Sequence, residues 1–200
     1  MGERKTYYAG KMPARPRNQF VGDELRRALE GSKDMDDVAY RMVESFRRLR
    51  EEHNMKRLGY VSGIITSDGP EFMVRNRAIL KAFAEHLKGK HDLQIFAPSD
   101  VFEEENDYDL VLTDGRTRIA RPNDDTVFYM FWRKVLTCGY VTDIFMTPRW
   151  KKSKGAMDEH NTAIEAGIRM HYLEDDRELL DILESFQNNK AAGLRMRGND

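Results

Sequence analysis

Trp150-Lys151-Lys152-Ser153-Lys154-Gly155-Ala156-Met157-Asp158-Glu159 is the stretch on which the fold turns. Ahead of it stands the apolar run Thr142-Asp143-Ile144-Phe145-Met146-Thr147, which reads as a buried strand. Behind it Ala156 to Ala166 reads as a helix. A strand that feeds a helix through a Ser/Gly turn is half of a βα unit, the building block of a parallel sheet. The turn leaves the first helical N–H groups unpaired and aimed at whatever lies above them. Glu159 follows one helical turn later. An anion cradle with a carboxylate in reach suits a polar small molecule, phosphorylated or sugar-bearing.

Working outward, the same rhythm recurs upstream. Leu58 to Ile65 is a short apolar run ending in the polar turn Thr66-Ser67-Asp68-Gly69-Pro70. A long helix is expected from Glu71 to Leu87, with Phe72, Ile79, Leu80, Phe83 and Leu87 on one side. Leu93 to Ala97 is a second strand, stopped by Pro98. The acidic run from Glu103 to Asp107 reads as a solvated loop. Leu110 to Ile119 reads as a hairpin turning at Asp114-Gly115. Asn123, Asp124, Asp125 and Thr126 can cap a helix running to about Thr137. Arg169 to Leu173 is a further strand, and Asp175 to Gln187 a last helix.

The amino-terminal part reads differently. Pro13 and Pro16 mark an irregular arm with a strand-like patch at Tyr7-Tyr8-Ala9-Gly10. Short helical spacing follows from Asp23 to Glu30. From Asp36 to His53, Val38, Met42, Val43, Phe46 and Leu49 form an amphipathic stripe for packing on the domain or on a second subunit. The expected fold is therefore α/β: a doubly wound, mostly parallel, Rossmann-like sheet of about five strands with an N-terminal helical extension. Residues 1–55 form the arm and extension, 56–190 the Rossmann-like domain and 191–200 a flexible tail. In such sheets ligands bind beyond the carboxyl ends of the strands. Gly63-Ile64-Ile65-Thr66 and the segment Pro148 to Gly155 should open onto one crevice.

Composition narrows the function classes. The chain's 33 basic and 34 acidic residues give a net charge of −1, so nucleic acid is not the expected partner. Cys138 is the sole cysteine, which excludes an internal disulfide. His53, His86, His91, His160 and His171 show no zinc spacing, and no metal or other cofactor is expected. No run approaches the roughly 20 apolar residues of a membrane span, and the opening Met1-Gly2-Glu3-Arg4-Lys5 lacks a signal-peptide core. A soluble cytoplasmic protein without membrane partners is expected.

Two stretches, Tyr60-Val61-Ser62-Gly63-Ile64-Ile65-Thr66 and Ser153-Lys154-Gly155-Ala156-Met157-Asp158-Glu159, together resemble the nucleoside 2-deoxyribosyltransferase superfamily. The nearer resemblance is to its 5′-monophosphate N-glycosidase and cytidylate-hydrolase branches. The pattern Trp-x-x-Ser-x-Gly-Ala-x-x-Glu-His of a group of small domains in that superfamily is matched by Trp150, Ser153, Gly155, Ala156, Glu159 and His160. The resemblance covers about residues 58–175. It implies that Glu159 is the nucleophile at C1′ of the sugar and that Tyr60 lies near it. It implies that Ser153 and the backbone at Gly155 hold the 5′-phosphate, with the loop Gly63-Ile64-Ile65-Thr66 closing the other side. An aspartate that handles the leaving base matches Asp125 or Asp124. Substrates would be a nucleotide or nucleoside, and the protein a homo-oligomer.

The chain departs from the pattern in three places and carries one rival match; the first departure is that the helper aspartate lies further upstream of Asp143 than the pattern expects. Thr66 stands where the monophosphate branch carries a basic residue, so Arg75, Arg77 or a lysine of the second loop must substitute. The hairpin near 108–120 is an apparent insertion. Tyr7 to Met12 imitates the first-strand motif, but the distance from Tyr60 to Glu159 fits one domain. The chemistry stands apart from the resemblance: breaking an N-glycosidic bond builds positive charge at C1′, which a carboxylate stabilises, and the departing base needs a proton or hydrogen bond. Lys151, Lys152 and Lys154 add positive potential at the turn. Each residue also has a plainer role. Ser153, Asp124 and Asp125 can be helix caps, Trp150 a packing anchor or a base-stacking lid, and Asp143 a structural acid.

Overall fold

The computed structural model describes residues 20–90, 93–105 and 108–173. The Tyr7 patch, the proline arm, the expected helix 175–187 and the tail lie outside the described residues. The elements in chain order are α1 (Phe20–Ala28), α2 (Met35–Glu52), β1 (Leu58–Ser62), α3 (Met73–Lys90), β2 (Gln94–Phe96), β3 (Phe102–Glu105), β4 (Asp109–Leu112), β5 (Arg118–Ala120), α4 (Asp125–Leu136), β6 (Asp143–Met146), α5 (Lys154–Glu165) and β7 (Arg169–Tyr172).

The strands β2, β1, β6 and β7 lie side by side in that order, all parallel. The main sheet therefore has four strands, and the hairpin adds none to it. β4 and β5 pair as the expected hairpin, but they build a separate antiparallel sheet with β3. The Asp114 carboxylate accepts from the N–H groups of Arg116 and Thr117 and from the Thr117 hydroxyl, and Gly115 supplies the positive φ, 70°, that the turn requires. The acidic run expected to be a loop is in part strand: Phe102 and Val101 are buried, and the charged residues after them run along a sheet edge, where acidic side chains are tolerated.

Each face of the main sheet has its own apolar layer. Val61, Ile95 and Phe145 meet Leu80, Phe83 and Leu87 of α3. Leu58, Tyr60, Phe96, Ile144 and Met146 meet α2, α4 and α5 on the other side. That explains why β1, buried along its whole length, reads as a continuous apolar run rather than an alternating one. α2 begins where Asp34 accepts the Asp37 N–H at 2.8 Å. Its stripe Val38, Met42, Phe46 and Leu49 covers the sheet, so the helical segment before residue 55 packs into the same core as the strands. Phe102, Leu110, Leu112 and Ile119 join the small sheet to that core through Phe131 and Trp132 of α4.

From the middle of the sheet the chain winds outward in opposite directions: β1 through α3 to β2, and β6 through α5 to β7. The carboxyl ends of β1 and β6 are thus neighbours whose following helices depart to opposite faces. Such a switch point leaves a crevice between them. Among the described residues no helix is long and apolar enough to cross a membrane.

Candidate active site

β1 presents Tyr60 and Ser62 to the face on which α5 lies. α5 starts at Ser153, whose backbone is extended and whose hydroxyl accepts the Ala156 N–H at 3.3 Å. From that cap, Ala156, Glu159 and Ala163 fall on the buried stripe of the helix, at spacings of three and four. Glu159 therefore points at the sheet. The Tyr60 hydroxyl donates to its Oε1 at 3.0 Å and the Ser62 hydroxyl donates to its Oε2 at 2.5 Å.

Burial pushes the Glu159 carboxyl up to about 7, against the opposing pull of the Ser62 and Tyr60 hydrogen bonds and with a small push from Asp158. The acid thus sits between protonation states near neutral pH. Burial also raises the Tyr60 phenol well above its ordinary range, so it remains a donor. Its ring is fixed by Phe96 at 5.1 Å and Trp132 at 5.0 Å.

A cavity of about 390 Å³ opens over this carboxylate, within the usual size for small-molecule sites. Gly63, Ile65 and Thr66 line one side and Ser153 and Gly155 the other, with Asp125 and Glu159 as its acids. Gly63 is required by close approach: a Cβ there would lie 2.0 Å from Thr147 Oγ1 and 2.8 Å from Leu80 Cδ2. At Gly155 a Cβ would sit 3.7 Å from the Tyr129 ring, so the missing side chain leaves room rather than relieving a clash. Asn76 donates to the Ile65 carbonyl at 3.1 Å and ties the first loop to α3.

The cavity has two characters. Phe102, Phe128, Tyr129 and Trp132 make an aromatic wall. Arg77, Arg121, Lys152 and Lys154 bring four cations against the two acids, which favours an anionic ligand. Arg77, Lys152 and Lys154 line the same cavity as Thr66. Arg75 does not line the cavity. Two hydroxyls have donor capacity to spare among the described residues: Ser153 has no acceptor there for its own proton, and the buried Ser99 Oγ has no hydrogen-bond partner there.

Of the site residues singled out in the sequence, Tyr60, Ile64, Asp124 and Trp150 do not line the cavity; Tyr60 is fully buried behind the Glu159 carboxylate that it bonds. Ile64 is buried beneath its loop. Asp124 caps α4, accepting the Thr126 N–H at 2.8 Å and the Thr126 hydroxyl at 2.6 Å, and the neighbouring Asp125 takes the place facing the cavity. Trp150 lies in a 3-10 turn that directs it away, stacked on His160 at 4.1 Å, whose Nε2 lies 2.9 Å from the Tyr172 hydroxyl. Trp150 thus packs on His160 and faces a different part of the surface from this cavity.

Asp143 occupies the opposite, amino-terminal end of β6. Its burial would raise its pKa, but hydrogen bonds from Arg57, His171 and Thr142 outweigh that and hold it well below the usual carboxylate range. It is a structural acid. The sequence reading passed over Ser62, Arg121 and the aromatic wall. Ser62 was accessible from spacing, since a residue two along a strand from Tyr60 shares its face. Among the described residues no group of His, Cys, Asp and Glu is arranged to hold a metal ion. No protein-family model matches the chain, and no curated protein or solved structure is significantly similar to it.

Proposed function

We propose that the protein cleaves the N-glycosidic bond of a nucleoside 5′-monophosphate or nucleoside, by hydrolysis or base exchange. The observation that carries the reading is a buried carboxylate, Glu159, gripped by two hydroxyls at the floor of a cavity whose rim is a capped helix N-terminus among four cations. In this reading the sheet is the doubly wound, Rossmann-like type and the chain a relative of the deoxyribosyltransferases, which also implies a cytoplasmic homo-oligomer.

The phosphate rests on the first N–H groups of α5, with the Ser153 hydroxyl, Lys152, Lys154 and Arg77 around it. The base lies against the aromatic wall. An ionised Glu159 attacks C1′. The C1′–N bond breaks with its electron pair going to the base, which takes a proton from Asp125 or from water held by it. Water or a second base then displaces Glu159 from C1′ and regenerates the carboxylate. Tyr60 and Ser62 aim the carboxylate and are released from part of its charge as the ester forms.

One second reading has its own support. A carboxyl held at about 7 with both oxygens engaged also suits an acid that grips a ligand without attacking it. The protein would then be a nucleotide-binding or sensor module. The deciding experiment incubates the protein with a panel of ribo- and deoxyribonucleotides and nucleosides and measures free base by chromatography. Base release that Glu159→Ala abolishes while binding persists supports the enzyme. Binding without release supports the module. Failure to bind any of the panel removes both.

A further inference from the structure

The two loops that form the anion cradle are joined by one ion pair. Arg149 Nη2 lies 3.1 Å from Asp68 Oδ1. Asp68 directly follows Thr66 and Ser67, and Arg149 precedes Lys152 and Ser153, all four of which line the cavity. Each end of the bridge sits in a tight turn. Gly69 N–H donates to the Thr66 carbonyl at 3.0 Å, and the N–H of Lys152 donates to the Arg149 carbonyl at 2.8 Å. Arg149 also has a φ of 62°, a left-handed conformation unusual for a residue with a Cβ.

We propose that Asp68 and Arg149 form a latch that sets the spacing of the two phosphate-binding loops, so that both are positioning residues for ligand binding. This rests on reading the cavity as a nucleotide site. The latch is not there chiefly for stability, because both side chains are partly exposed and such pairs contribute little to folding. Its geometry is more telling. It joins the two loops beyond their roots, where, among the described residues, the backbone bond between them is that of Thr147 N–H to the Ser62 carbonyl at 2.9 Å. The strained φ at Arg149 turns the chain so that the guanidinium crosses to the first loop while the next residues fold back into the cap of α5. A spacing error of an ångström between two halves of an anion site loses contacts from one of them.

An alternative role for Arg149, direct contact with the phosphate, makes the opposite prediction. Asp68 would then compete with the ligand, and removing it would tighten binding. The test titrates inorganic phosphate by calorimetry against the wild type, Asp68→Asn, Asp68→Ala, Arg149→Ala, the double variant Asp68→Ala with Arg149→Ala, and the exchanged pair Asp68→Arg with Arg149→Asp. Circular dichroism and melting curves establish that each variant folds, and the near-isosteric Asp68→Asn serves if the alanine variants do not. The latch predicts dissociation constants raised about tenfold in each single variant, no further loss on combining Asp68→Ala with Arg149→Ala, and recovery in the exchanged pair. With an active substrate in hand, KM rises while kcat changes little. A wild type that binds phosphate, with Asp68→Asn binding it equally or more tightly, overturns the latch alone. A wild type that does not bind phosphate overturns the 5′-monophosphate form of the reading and the latch with it.

Discussion

Ser62 donates its hydroxyl to Glu159 across 2.5 Å, and the contact joins the exit of β1 to the second turn of α5. This bond lowers the carboxyl's pKa against the larger effect of burial. Ser62→Ala therefore raises it. If the ionised carboxylate is the reacting form, activity in the wild type climbs as pH rises through about 7. In Ser62→Ala the same limb moves to higher pH, so the loss is larger below the wild-type limb than well above it. A pH–rate profile that drops uniformly, with no displacement of the limb, would separate Ser62 from the ionisation of Glu159.

Glu159→Gln keeps the shape and removes the charge. Base release falls by roughly a thousandfold or more if the carboxylate is a nucleophile. The stability change runs the other way and depends on pH. The folded carboxyl titrates at about 7, above its ordinary 4.5, so it supports the fold below 4.5 and that support is lost as pH rises through 7. At high pH the uncharged variant is the more stable protein, by up to about 3 kcal/mol, and the two converge toward pH 4.5. Urea unfolding at pH 5 and pH 8.5 measures this. Equal differences at the two values would refute the buried, raised carboxyl.

The two cavity glycines should fail differently. Gly63→Ala drives a methyl into Thr147 and Leu80, so it destabilises by about 1–3 kcal/mol and lowers the melting temperature. Gly155→Ala has room at the start of a helix and melts at or slightly above the wild type. It still narrows the cavity beside Tyr129 and weakens ligand binding. Melting curves and phosphate titrations on both variants check the contrast.

The neighbours Asp124 and Asp125 separate a cap from a helper acid. Asp124→Ala removes the acceptor of the Thr126 N–H and lowers the melting temperature modestly, with base release preserved. Asp125→Asn leaves the melting temperature unchanged and lowers kcat by about a hundredfold if Asp125 handles the base. Interchanged outcomes would reverse the assignment.

What the sequence made legible was local. The Ser153 cap, the apolar strand before it and the helical stripe carrying Glu159 all depend on residues within a few positions of one another. Tyr60 could be paired with Glu159 only through the resemblance. Trp150 belongs to the same local motif yet faces away, because the left-handed backbone at Arg149 and the 3-10 turn after it rotate the ring toward His160. No periodicity signals that rotation. β3 was missed because an acidic run has the composition of a loop, and its strand geometry comes from pairing with β4. Phe128, Tyr129 and Trp132 read as the apolar side of a helix. Which of them meets an opening and which meets core is decided by the sheet they lean on.

At the amino-terminal end of the sheet, Asp143 clasps Arg57 just ahead of β1 together with Arg169 and His171 in β7. Three strands are rooted there by one carboxylate, while at their other ends the loops diverge around an opening. The arrangement is that of a fan riveted at its base. Because the pairing holds in register from Gly59 opposite Asp143 to Ser62 opposite Met146, that clasp fixes where β1 and β6 end, and with them where the loops at Gly63 and Thr147 begin.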